Sequence, residues 1–191
     1  MFNFLKGIFK RNTNEDFINE VQFTDAEREQ GIAAFKAFVE GLELQSANNL
    51  RDAIERYDFA VENGLIYNSK LYKYRGLCYQ YFAQHILAIE DFDFSISLEG
   101  NDQTVYYSRS KSKWYTHDFD GYKADLNTAI QLSKLNQDDK DENVRMEQNE
   151  WQVELKYADE TISLEKQRLQ LENKWDEYIK QAKEKSKEKD I

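Results

Sequence analysis

Residues 69–102 read SKLYKYRGLCYQYFAQHILAIEDFDFSISLEGND, and the placing of small and aromatic side chains in this stretch decides the fold. Gly76 follows Tyr72 by four positions and precedes Tyr79 by three; from His85 onward, Ala88, Phe92 and Ser95 keep the same four-and-three rhythm. Both runs have the period of an α-helix, so the stretch reads as two helices joined by a short link. A glycine inside a helix costs about 1 kcal/mol against alanine. Gly76 therefore needs a packing reason, and close approach of the paired helix supplies one.

The same pattern recurs on both sides. Ala53, Tyr57 and Ala60 stand 35 residues before Ala88, Phe92 and Ser95, and Tyr122, Leu126 and Ala129 stand 34 residues after them. Gly41 matches Gly76 and then Ser110, while Leu44 matches Tyr79 and then Lys113. With Tyr72 in the place of the usual tryptophan, the chain resembles the tetratricopeptide-repeat (TPR) family over residues 34–136, as three units of 35, 34 and 34 residues. The resemblance implies an all-α TPR-like solenoid of three helix pairs. Two departures stand out: the helix-ending proline is missing everywhere, with Gly100 in its place in the second unit, and Tyr122 replaces a small alanine. The large Tyr122 side chain predicts looser or altered packing between the helices of the last pair.

Composition agrees with helices. Proline is absent and there are only 7 glycines, which removes the punctuation of hairpins and tight turns. Among 191 residues, 12 Tyr, 12 Phe and 3 Trp supply apolar surface enough for one core. The single cysteine, Cys78, has no partner for a disulfide or a zinc site and reads as a buried helix residue in a reducing compartment. No apolar run is long enough to span a membrane, and the N-terminus lacks the features of a signal peptide, so a cytoplasmic location is expected. A formal charge of −10 opposes nonspecific binding to nucleic acid.

The flanks divide the chain into an N-terminal segment over 1–23, a repeat domain over 24–136 and a charged C-terminal helix over 137–191. Thr24 with Glu27 forms a capping-box signature, so the first helix starts near Asp25 and is extended. Within residues 138–190, Trp151, Leu155, Ala158 and Ile162 make an amphipathic stripe that Leu164, Leu171, Trp175 and Ile179 roughly continue, ending in a solvated, frayed tail. That stripe covers the open face of the last repeat or pairs with a second copy, giving a homodimer through residues 138–182; Glu165 and Lys166 interrupt its heptads. In residues 1–11, Phe2, Leu5, Ile8 and Phe9 lie at helical spacing beside Lys6, Lys10 and Arg11, the pattern of a membrane-surface helix or of a staple that caps the end of the solenoid or packs on the C-terminal helix.

Charge separates between paired helices. Residues 69–84 carry Lys70, Lys73 and Arg75 with no acid, and residues 103–117 carry Arg109, Lys111 and Lys113 with no acid. Residues 85–99 carry Glu90, Asp91, Asp93 and Glu99 with no Lys or Arg, so the two faces of the array are expected to differ in sign. In the family the first helix of each pair lines a concave groove. The resemblance thus places Phe35, Phe38 and Leu42 beside Lys70, Lys73, Leu77 and Tyr81, followed by Tyr107, Lys111, Trp114 and Tyr115. Such a groove suits a peptide or protein segment with acidic and hydrophobic side chains. The chain's own N-terminal segment or C-terminal helix is an alternative occupant. Phe38 and Leu42 stand where a clamp for a C-terminal carboxylate has polar residues, which argues against that clamp. His85 and His117 lack metal-ligand spacing and no phosphate loop occurs, so no catalytic residue, metal or cofactor is assigned. The expectation is a binding module or scaffold rather than an enzyme, with self-association through the C-terminal helix as the alternative.

Overall fold

The computed structural model describes residues 24–135 and 142–189. These residues form α1 (Asp25–Ser46), α2 (Leu50–Glu62), α3 (Ser69–Tyr81), α4 (His85–Leu98), α5 (Gln103–Tyr115), α6 (Phe119–Leu135) and α7 (Glu142–Lys189). The chain divides into two compact units, Met1–Ile66 and Tyr67–Ile191. The short helix expected within residues 1–23, and the boundary at Gln137, lie outside the described residues.

In the first unit α1 packs along α2. Thr24 caps α1 as its sequence predicts: the Glu27 amide donates to the Thr24 hydroxyl at 3.2 Å, and the Thr24 amide donates back to the Glu27 carboxylate at 2.8 Å. These bonds hold the Glu27 carboxyl below its ordinary range. Ala34, Ala37, Phe38, Ala53, Tyr57 and Ala60 are all buried. Gly41 lets the helices close on each other, since a Cβ there would stand 2.4 Å from a ring carbon of Tyr57.

The second unit holds two further pairs, α3 with α4 and α5 with α6; α4 also packs on α5, and α6 on α7. Gly76 repeats the role of Gly41, with its missing Cβ 2.8 Å from the Phe92 ring. The third pair has Ser110 in this place and the smaller Leu126 at the repeat position of Phe92, both fully buried. Burying a ring such as Phe92 or a chain such as Leu126 contributes about 1.5–3 kcal/mol each, which is the main force closing each pair.

All three pairs turn in the same way. Asn48, Ala83 and His117 take φ of 59°, 55° and 62°. In each turn the next amide reaches back five residues, Asn49 to Leu44, Gln84 to Tyr79 and Asp118 to Lys113, at 2.8–2.9 Å. This is a Schellman ending, and it stops the first helix of each pair.

Tyr122 does not loosen the third pair. It is 4% exposed, with its ring edge-on to Trp114 at 5.2 Å and its hydroxyl donating to Glu154 of α7 at 2.8 Å. The bulk that breaks the small-residue rule is used to seat the following helix.

That helix has two apolar faces where the sequence suggests one. Trp151, Ala158 and Ile162 are buried against Phe119, Leu126 and Ile130, with Leu155 and Leu169 beside them. At 100° per residue, Leu164 points 200° away from Ile162. Leu164, Leu171 and Trp175 therefore do not continue the docking stripe; they lie opposite it, 61%, 66% and 63% exposed.

Candidate functional site

The cations of the first helices are largely spoken for. Arg75 on α3 donates through Nε and Nη2 to both oxygens of Asp91 on α4, at 2.9 and 2.7 Å. Arg109 on α5 binds Asp125 on α6 in the same fork, at 2.7 and 2.6 Å, and reaches Asp93 with Nη1 at 2.6 Å. Lys113 lies 2.9 Å from Asp125. Burial opposes the Arg109 charge, but the bonds to Asp125 and Asp93 outweigh it and raise its pKa. The expected opposition of a basic face to an acidic one is therefore largely cancelled inside the helix pairs. A run of bases without acids does not say which way each base points, and one residue before the glycine of the helix crossing points toward the partner helix.

Two of the proposed groove lysines are also paired. Lys73 donates to Asp102 at 2.8 Å, and Asp102 caps α5 by accepting from the Thr104 amide at 2.9 Å. Burial would raise the Asp102 pKa, but the bonds from Lys73 and Thr104 prevail and hold it down. Lys111 donates to Glu154 at 2.6 Å, and its ammonium sits 5.0 Å from the centre of the Tyr107 ring. Burial works against its charge, yet the Glu154 carboxylate raises its pKa. Tyr107 stacks on Trp151 at 4.6 Å. Burial, then the neighbouring Glu154, pushes the Tyr122 phenol well up. Lys111, Tyr107, Tyr122 and Trp114 thus form a seat for α7, and Glu154 is its main polar anchor, which the sequence reading did not single out.

The remaining candidates divide between core and surface. Phe38, in the first unit, is 6% exposed because its ring packs on Tyr57 at 6.1 Å. Leu42 is half-buried and Phe35 is 55% exposed in the same unit. Leu77 packs on the core built from Ala88, Phe92 and Val105. Tyr81 and Tyr115, equivalent residues at the ends of α3 and α5, are 66% and 63% exposed, and Lys70 at the start of α3 is exposed. Tyr115 lies flat on His85 at 4.4 Å, and burial lowers the His85 pKa. Between these helices Gln80 donates to the Ser108 carbonyl at 2.8 Å and to the Ser112 hydroxyl at 3.0 Å, fixing their spacing.

Cys78 is fully buried and its thiol is pushed up to about 11 by burial, which leaves it unreactive. Among the described residues no group of three His, Cys, Asp or Glu side chains is placed to hold a metal ion. No helix among them is long and apolar enough to cross a membrane.

Helix pairs closed on a glycine or serine and ended by one repeated turn are the fold of TPR domains, and solved structures bear this out. The TPR2B domain of yeast Sti1, in a complex with pHsp70, aligns with a TM-score of 0.57 at 15% identity, over 68% of this chain and 98% of that one. The chaperone PcrH, bound to the chaperone binding region of PopD, gives 0.56 at 14% identity, over 77% and 98%. The Yersinia enterocolitica type III secretion chaperone SycD, bound to a peptide of the translocator YopD, gives 0.55 at 14%, over 69% and 92%. No protein-family model and no curated protein sequence matches the chain.

Proposed function

We propose that this chain is a protein-interaction module that holds a segment of another polypeptide across α3 and α5 and performs no chemistry itself. The observation that carries the reading is the pair Tyr81 and Tyr115. Two aromatic rings one repeat apart, at matching helix ends, are 66% and 63% exposed, well above the other repeat-matched pair of exposed rings, Phe59 and Phe94, at 39% and 43%. Aromatic side chains of this kind are the usual anchors of peptide recognition. Support also comes from the three structural neighbours, each solved with a peptide or segment of another protein.

The partner segment carries acidic and hydrophobic side chains. Lys70 supplies exposed positive charge on α3, and the Lys111 region already accommodates a carboxylate and an indole from α7. The module works in the cytoplasm, with no cofactor and no nucleic acid.

Reversing Lys73 and Lys111 is a poor test, because each change would set two acids against each other within the fold. Tyr81→Ala with Tyr115→Ala, and separately Lys70→Glu, alter exposed positions. A displayed library of random peptides should yield sequences that bind the wild type and lose at least tenfold in affinity to the tyrosine variant at unchanged helicity. Failure to enrich any sequence, or enrichment that both variants retain, would sink the reading.

A further inference from the structure

The outward face of α7 carries Val153, Tyr157, Leu164, Leu171, Trp175 and Tyr178, which are between 50% and 66% exposed. All lie within about 40° of one line along the helix, opposite the stripe that docks on α6. Six large apolar side chains at about 100 Å² apiece approach the ~800 Å² per partner of a standard protein interface. A monomer rarely leaves such a stripe to water.

Its spacing defines what covers it. Along the seam the positions are 153, 157, 160, 164, 168, 171 and 175, so the steps run 4, 3, 4, then 4, 3, 4. The series is a palindrome about Leu164. Turned end for end on a two-fold axis at that residue, a second α7 sets Val153 against Trp175, Tyr157 against Leu171 and Leu164 against itself. The two polar gaps, Glu160 and Arg168, then fall opposite each other with opposite charge. Arg168, which in one copy bonds Glu165 and Glu172 of its own helix, has a third acid within the seam. Each half of the series spans eleven residues, a repeat that goes with a right-handed supercoil.

Charge selects the same direction. Residues 142–165 hold seven acids and two bases, and residues 166–189 hold five acids and eight bases. Antiparallel pairing puts the acidic half on the basic half at both ends, whereas parallel pairing sets like on like. We propose that a second copy of this chain occupies the outward face of α7 as an antiparallel, two-fold-symmetric helix pair centred on Leu164. This gives the self-association expected from the sequence a face, a direction and a register, and it does not depend on the peptide-binding surface.

Sedimentation equilibrium of the full chain tests it. The wild type should sediment at twice the 22.7 kDa chain mass, and Leu164→Glu, which brings two carboxylates together on the axis, at once that mass with unchanged helicity. Direction is read by cross-linking in a Cys78→Ser background. Tyr157→Cys mixed with Leu171→Cys should form a mixed disulfide, while neither does so alone. A wild type that stays monomeric at every concentration, a Leu164→Glu variant that stays dimeric, or Tyr157→Cys joining to itself would overturn the proposal.

Discussion

Arg75 and Asp91 join the second helix pair through two parallel hydrogen bonds, with side chains 16% and 7% exposed. Arg109 and Asp125 repeat the arrangement 34 residues later. In the first pair the aligned positions hold the same charges exchanged, Glu40 and Arg56, which approach to 3.8 Å at a more exposed site. The repeat therefore conserves a cross-helix ion pair beside the glycine or serine contact, and either polarity satisfies it.

Asp91→Ala should destabilise the fold by about 3 kcal/mol in urea denaturation, because it leaves the mostly buried Arg75 guanidinium without its carboxylate. The exchange of both residues, Arg75→Asp with Asp91→Arg, restores the arrangement of the first pair. It should cost less than the sum of the two single changes. Strict additivity would show that the two side chains are not coupled.

Gly76→Ala should cost about 1–3 kcal/mol, because the new methyl carbon meets the Phe92 ring at 2.8 Å in a filled interior. The third pair suggests the compensation, since Ser110 carries a side chain at this place and the repeat position of the Phe92 ring holds Leu126. In a Phe92→Leu background the same alanine should therefore cost much less, or stabilise the helix. A thermal-melt cycle of the four proteins reads the coupling.

The turns offer a change of opposite sign. Ala83 sits at φ 55°, where an L-residue with a Cβ is held at a cost of about 1–2 kcal/mol and glycine is not. Ala83→Gly should raise stability by roughly half of that, the rest being lost to the freer unfolded chain. A melting temperature that falls would mean that the Ala83 methyl makes a contact worth more than the strain.

How much of this the sequence discloses depends on whether a side chain's neighbour lies in the same repeat. Gly41, Gly76, Phe92 and Ser95 could be read because their spacing is local and periodic, and Thr24 with Glu27 because a cap is a four-residue event. The ion pairs were legible in principle, since Arg75 recurs as Arg109 and Asp91 as Asp125 at one period. Composition alone, however, turned them into opposed faces instead of bonded partners. Glu154 carries no local signal: its partners Tyr107, Lys111 and Tyr122 lie 32–47 residues away. The double-faced α7 was blurred because Ile162 and Leu164 are neighbours in sequence and opposites on a helix.

Acid should weaken the second unit partly through Asp102. Its folded pKa is depressed below the ordinary 3.8, so its contribution is complete above that value and is lost as pH falls through the folded one. Asp102→Asn keeps an N-cap oxygen for Thr104 but gives up the charge that Lys73 binds. Its stability should fall less steeply than the wild type's below about pH 4. Parallel acid limbs would remove Asp102 from the account.

Glu154 decides whether α7 is seated by charge or by packing alone. Three donors converge on its carboxylate: the Tyr122 hydroxyl at 2.8 Å, Lys111 at 2.6 Å and, more weakly, the Tyr107 hydroxyl at 3.4 Å. Glu154→Ala leaves a half-buried ammonium and two phenols short of an acceptor, at a cost of about 1–3 kcal/mol. Because α7 is the last element on the stack, that loss should appear locally. Hydrogen exchange should quicken over residues 151–162 and the Trp151 emission should shift to the red, while α3 and α4 keep their protection. The folded pKa values of Lys111, Tyr107 and Tyr122 are all raised. Their contribution is therefore present below their ordinary values, and it fades as pH rises through the folded ones. In the wild type the Trp151 shift should appear in alkali ahead of global unfolding, and in Glu154→Ala it should already be present at neutral pH. Unchanged exchange in the variant would mean that Trp151, Ala158 and Ile162 seat the helix without help, and that the three donors contribute only to its register.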